Sequence, residues 1–250
     1  MKRLLMLLVF AGSVHARGEE PATRLVAEAK AAEIRLESQR ALELYLQAGQ
    51  VRPDDAFILQ KIARQYSDLV LDQPDDAARR RFAQSALDYS LRAVASNPRD
   101  AVSVLSVAIS YGKLAVYSDL KAKLRYSRLV KEEAERALAL DPDYAWAHHV
   151  LGRWHHEVAS LGLTSRWVVS LFLGGLPPAS QQQAVGHLRR AVALEPDELA
   201  HHLELGFALA AAEQPQEARQ AWQRGLQLAS RGKHDEPAKQ RARAALEALR

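Results

Sequence analysis

The 250-residue chain is 48% hydrophobic and 26% charged, with a formal charge of +4 and no cysteine. That composition describes a core-forming protein. It excludes a disordered chain, disulfides, thiolate metal sites and a lipid-modified cysteine behind a leader. Basic and acidic residues are interleaved without a basic stripe among aromatics, so nucleic acid is not an expected partner. Taken in chain order, residues 1–16 (MKRLLMLLVFAGSVHA) read as a secretory leader. Lys2 and Arg3 form its basic start, Leu4 to Ala11 its apolar run, and Val14-His15-Ala16 its cleavage site. The apolar run is well short of the ~20 residues that a bilayer span needs. The expectation is an exported protein, periplasmic or secreted after cleavage near Ala16. Residues 17–250 would then form a single domain.

Residues 22–52 read as one long helix or a partial hairpin. Beyond them a repeat emerges around Pro53, Pro98, Pro142 and Pro196. Five residues before each proline stands an alanine (Ala48, Ala93, Ala137, Ala191), and twelve before stand Ala41, Ala86, Val130 and Ala184. Ten residues after each stands a small residue: Ala63, Ala108, Gly152 and Gly206. Proline ends one helix and precedes the next, and small residues recur where two helices approach closely. A fifth second helix follows at the C-terminus, with Ala218, Trp222 and Gly225 in register with Gly206. This is the pattern of a tetratricopeptide repeat, a superhelix of antiparallel helix hairpins, and the fold class is all-α. The repeats span 53–97, 98–141, 142–195 and 196–230, and residues 236–250 read as a solvated capping helix.

The prolines are 45, 44 and 54 residues apart, longer than the usual ~34-residue unit. The extra residues fall between the two helices of a unit. They either lengthen both helices or form longer connections. The third unit has the most, including the apolar, Gly/Pro-punctuated stretch GLTSRWVVSLFLGGLPPAS at 162–180. That stretch reads as a cap over the array, or as a lid that touches a membrane or covers a ligand.

The third unit also carries a resemblance. HHVLGRWHHEVASLG, followed by SLFLGGLPPAS and AVGHLRRAVALEPD, resembles the regulator of microtubule dynamics family. That family shows a G-R-W-x-x-E-V-A helix, a short LF-x-x-P-P segment and a second helix ending at proline. IARQYSDL (62–69), SYGKLAVYSDLKAKLRYS (110–127) and EEAERALALDPDYAWAHHVLG (132–152) match it too. The most specific piece is Gly152-Arg153-Trp154 with Glu157-Val158-Ala159. The Cys-Tyr usual between Trp and Glu is His155-His156 here, and a leader replaces the membrane anchor of some animal members. The resemblance implies a helical repeat domain, no catalysis, and binding of proteins or, in one branch, phospholipids. An exported bacterial protein would not meet microtubules.

Chemistry is tested last. The stretch LGRWHHEVASLG places His155, His156 and Glu157 together, with His148 and His149 upstream. A zincin needs two histidines one turn apart with a glutamate between, and that spacing is absent. No Ser/His/Asp order, phosphate loop or cysteine nucleophile appears. Neither catalytic residues nor a metal or other cofactor are expected. Binding is, on the concave face lined by the first helix of each unit. Lining positions carried over from the repeat class include Phe57, Arg64 and Asp68, then Val102, Ile109 and Lys113, then Trp146, His149, Arg153, His156 and Glu157, then Leu203 and Phe207. The candidate groove is Arg64, Ile109, Trp146, His149, Arg153, His156, Glu157, Leu203 and Phe207. Arg153 and Glu157 are spaced for a local ion pair. The histidines could make binding depend on pH. A polar third unit between apolar neighbours suits a protein or peptide partner on a cell-envelope scaffold, or alternatively a phospholipid or fatty acid.

Overall fold

The computed structural model describes residues 13–161 and 175–249. Its described residues form eleven α-helices: α1 (Ser13–Ile34), α2 (Ser38–Val51), α3 (Ala56–Leu69), α4 (Asp76–Ser96), α5 (Ala101–Val116), α6 (Leu120–Leu140), α7 (Ala145–Ala159), α8 (Gln181–Leu194), α9 (Leu199–Ala211), α10 (Pro215–Gln227) and α11 (Asp235–Ala248). Successive helices pack as hairpins, α1 on α2 through α9 on α10, and α11 packs on α9 and α10. Most of the sequence leader and most of the 162–180 insertion lie outside the described residues.

The repeat signals act at the helix ends. Each second helix closes with a backbone bond to the alanine that precedes a proline by five positions. Arg52, Asn97, Asp141 and Glu195 donate their N–H to the carbonyls of Ala48, Ala93, Ala137 and Ala191, each at 2.9 Å. The proline then ends that helix, and the acid two residues later caps the next one. Asp55 accepts from Ile58 N, Asp100 from Val102 N and Ser103 N, and Glu198 from Ala200 N. In the third unit that position is Tyr144, which supplies no side-chain cap.

The small residues mark closest approach. A Cβ on Gly152 would stand 2.5 Å from Leu188 Cγ of α8, and one on Gly206 would stand 2.3 Å from Trp222 of α10. Ala41, Ala86 and Ala184 are fully buried on the partner helices. The knob–hole pairing runs in both directions, since Gly225 of α10 receives Leu203 of α9. Trp222 is 1% exposed and donates its indole N–H to Leu203 O at 3.1 Å.

The extra residues do not lengthen both helices. They go to the second: α4 and α6 have 21 residues each against 13 in α10, while the first helices α3, α5, α7 and α9 have 14, 16, 15 and 13. The added turns start at new caps, Asp75 and Asp119, which accept from Ala78 N and Ala122 N. In the third unit α8 stays short, at 14 residues.

Candidate functional site

On α7 the helical period separates three sets of side chains. Trp154 points inward between helices, 4% exposed, and donates its indole N–H to Ser127 O at 2.8 Å. His149 is also buried, 6% exposed, and its Nδ1 lies 3.0 Å from Nδ1 of His201 on α9. The Trp146 ring packs edge-on to His201, centroids 4.8 Å apart. On its other side, His201 Nε2 is 3.3 Å from Glu195 Oε2. A carboxylate there favours the proton on His201 Nε2, so His201 Nδ1 accepts and His149 Nδ1 donates. Burial, with Arg153 nearby, pushes His149 down to about 3. Burial, with His149 and His202 nearby, does the same to His201, also to about 3. Both rings are neutral packing elements at pH 7.

A second pair follows the same logic. His148 Nε2 donates to the carbonyl of Pro142 at 3.0 Å, which leaves His148 Nδ1 to accept from His187 Nδ1 of α8, also at 3.0 Å. His187 stacks on His155 and is pushed down to about 4 by burial, His148 and His155. In the next unit His202 donates to Pro196 O at 2.8 Å, repeating the His148–Pro142 arrangement. These histidines fill seams between α7, α8 and α9. Among the described residues, no group of three or more His, Asp or Glu converges as a metal site.

The exposed layer of the concave face is charged. Arg153 donates to Glu157 on its own helix at 2.8 Å and approaches Glu204 of α9 at 3.9 Å. Glu204, 14% exposed at its side chain, accepts from Arg241 of α11 at 2.8 Å. The Arg241 guanidinium also sits over the Phe207 ring, 5.0 Å from its centroid. On α3, Arg64 lies 3.9 Å from Asp68. Between these pairs stands Lys113 of α5, half-buried and outside any ion pair among the described residues. Burial lowers the Lys113 pKa; Asp68 opposes that and Arg153 adds to it. Burial raises the Asp68 carboxyl, against the pull of Arg64, His234 and Lys113.

Several candidate groove residues stand elsewhere. His149 and Leu203 are covered, the first by Trp146 and His201 and the second by Trp222 and Gly225. His156 turns along the hairpin, its Nδ1 3.0 Å from Gln181 Oε1 at the start of α8. Ile109 and Phe207 are partly buried against core clusters, and Trp146 is shared between core and rim. Only Arg64, Arg153 and Glu157 present charged ends on the open surface. His149 and His156 thus diverge from Arg153 and Glu157. Glu204, Arg241, Lys233 and His234 were not singled out. Glu204 falls outside the carried-over lining positions, Arg241 belongs to the 236–250 segment read as a solvated cap, and Lys233 and His234 lie between the last repeat and that cap. Lys233 pairs with Asp72 just beyond α3, and His234 Nε2 lies 3.8 Å from Asp68.

The paired-helix units are close-packed at Gly152 and Gly206, and Trp154 of the G-R-W word is buried. The profile of the family described as regulator of microtubule dynamics protein 1-3 matches residues 25–250. The chain belongs to this family. Regulator of microtubule dynamics protein 1 of Bos taurus is 27% identical over 145 residues, 58% of this chain and 46% of its own. Regulator of microtubule dynamics protein 3 of Xenopus laevis is 28% identical over 143 residues, 57% of this chain and 31% of its own. The chain thus spans less than half the length of either relative. Among solved structures, a thermophilic TPR protein of Thermus thermophilus superposes with a TM-score of 0.68 at 18% identity, covering 91% of this chain and 98% of that one. That likeness shows the tetratricopeptide-like superhelix.

Proposed function

We propose that the chain is a non-catalytic binding module that holds a polypeptide segment of a partner along its concave face. The observation that carries this reading is the charged layer on four inner helices and the C-terminal cap: Arg64 with Asp68, Lys113, and Arg153 with Glu204 and Arg241. An acyl chain needs a continuous apolar trough. Here Leu203 and Leu105 on the first helices are buried. Alternating acids and bases suit a polypeptide, whose own side chains and backbone can answer each in turn. The leader at residues 1–16 supports a place outside the cytoplasm, as a scaffold of the cell envelope, and on that reading microtubules are not a partner.

Photo-crosslinking in cells tests the reading. Val102 and Leu91 are similarly exposed, at 40% and 45%, but Val102 is at an inward position and Leu91 is on the outer helix α4. A photoreactive residue at 102 should give adducts of polypeptide mass that position 91 does not. Adducts of lipid mass at 102 would replace this reading with the phospholipid or fatty acid one. Equal adducts at both positions would refute a groove-based function.

A further inference from the structure

The end of the chain returns to its beginning. Residues 228–234 leave α10, and Arg231 N and Gly232 N donate to Asp235 Oδ2 at 2.7 and 2.6 Å, folding the segment against the start of α11. Lys239 of α11 fastens the other end, donating to Leu228 O at 2.6 Å. Held this way, the segment projects Lys233 onto Asp72 and His234 toward Asp68, residues about 160 positions earlier in the chain. Asp68 is an inward position of α3, and Lys113 of α5 shares the field of both Asp68 and His234. The segment therefore bridges the two ends of the concave face. It also borders an open cleft of about 420 Å³ lined by Leu36, Glu37, Arg40, Leu69, Asp72 and Lys233.

We propose that residues 228–234 are an autoinhibitory strap over the groove, clasped by Lys233–Asp72 and His234–Asp68, which a partner must displace to reach Lys113. This rests on the groove reading above. The two clasps are partly exposed, with side-chain exposures of 24% and 46% for Lys233 and Asp72, and 38% and 27% for His234 and Asp68. Such pairs are weak enough to open without unfolding the array. A partner segment that brings its own cations to Asp68 and Asp72 would replace both clasps in one step. The polar pairings of the strap to α3 and its following turn are made by side chains at positions 68 and 72, outside the hairpin seams.

The test needs no partner, so its result is separate from that of the crosslinking experiment. The full chain is treated with a lysine-acylating reagent, and the rates at Lys113 and Lys61 are followed by peptide mass mapping. Lys61 is tied to Glu33 at 3.0 Å, away from the strap, and reports general loosening. Two variants are compared with the parent chain, Lys233→Ala/His234→Ala and Asp72→Asn. The ratio of the Lys113 rate to the Lys61 rate should rise in both, by about threefold to tenfold, the range expected from losing the partly exposed Lys233–Asp72 ion pair together with the looser His234–Asp68 contact. The variants change local charge in opposite senses, so a rise in both reflects opening and not altered basicity of Lys113. A ratio unchanged in either variant overturns the strap, including the case where both lysines speed up together.

Discussion

The imidazoles of His149 and His201 face each other through their Nδ1 atoms at 3.0 Å, across the contact between α7 and α9. One proton serves both nitrogens, so the contact is lost once both Nδ1 atoms are protonated. The pair couples the third unit to the fourth. At the corresponding place between α5 and α7 there is an apolar cluster containing Leu105, Ala147 and Leu151. Acid therefore acts on this seam and not on the apolar one before it.

Stability should fall with pH through this seam. An unfolded histidine titrates near 6.5, whereas burial pushes His149 and His201 to about 3. The unfolded state thus binds more protons, and the stability that is full above pH 6.5 is lost as the pH drops toward 3. Between pH 7.5 and 5.0 each ring should cost about 2 kcal/mol. Urea unfolding at the two pH values measures it. The double variant His149→Leu/His201→Leu should show a clearly smaller drop, whatever its absolute stability. An undiminished drop would place the acid sensitivity elsewhere.

The glycines give a contrast within one hairpin. Gly152→Ala drives a methyl to 2.5 Å from Leu188 Cγ and 3.2 Å from the Ala184 carbonyl. Backbone on one side cannot yield, so the hairpin must separate, at about 1–3 kcal/mol. Gly186, on α8, has nothing within 4 Å of an added Cβ. Gly186→Ala should instead stabilise by about 0.5–1 kcal/mol, because alanine restricts the unfolded chain and favours helix. Thermal melts of the two variants should move in opposite directions. A neutral Gly152→Ala would contradict the close approach of α7 and α8.

Much of this fold is legible in the sequence, because its periodic signals are local. Proline at a fixed distance from Ala48, Ala93, Ala137 and Ala191 states where a helix ends, and Ala63, Ala108, Gly152 and Gly206 state where two helices meet. The candidate site is less legible. Lining offsets place a Cα on the inner side of a helix but do not say what covers it. His149 and His156 occupy inward offsets, yet one is capped by His201 and the other bends to Gln181. Glu204 and Arg241 meet only because α11 folds back on α9, a contact between residues 37 apart that no repeat spacing encodes. The same holds for Lys233 and Asp72 at opposite ends of the array.

Glu33 is a further example of such a non-local contact, and it yields a prediction on stability. Its carboxylate, 18% exposed, accepts from Gln65 Nε2 at 2.6 Å, Lys61 Nζ at 3.0 Å and Tyr45 OH at 3.0 Å, joining α1, α2 and α3. Burial and Glu33 together raise the Tyr45 pKa, so the phenol stays a donor over the working pH range. Glu33→Ala leaves the buried Tyr45 and Gln65 and the half-buried Lys61 without this acceptor and should cost about 2–4 kcal/mol. Glu33→Gln keeps one acceptor and should cost less. Loss of protection in the α1–α2 hairpin by hydrogen exchange, with α9–α11 unchanged, would localise the effect. Equal stability of Glu33→Ala and the parent would show that the hub contributes nothing.

Glu204 and Glu157 both pair with Arg153, but they should differ sharply when removed. Glu157 is 63% exposed and sits one turn from Arg153 on the same helix, so Glu157→Ala should cost less than about 0.5 kcal/mol. Glu204 is 14% exposed and holds Arg241 at 2.8 Å as well as Arg153 at 3.9 Å. Without it, Arg153 and Arg241 lose their shared carboxylate, and only the exposed Glu157 offsets Arg153. Glu204→Ala should therefore cost about 1–2 kcal/mol, and added salt should recover part of it by screening the cations. Chemical denaturation at low and high ionic strength separates the two variants. If Glu204→Ala proves as mild as Glu157→Ala at low salt, the network joining α7, α9 and α11 does not act as a unit, and α11 must be held to the array by its apolar contacts with α9 and α10 alone.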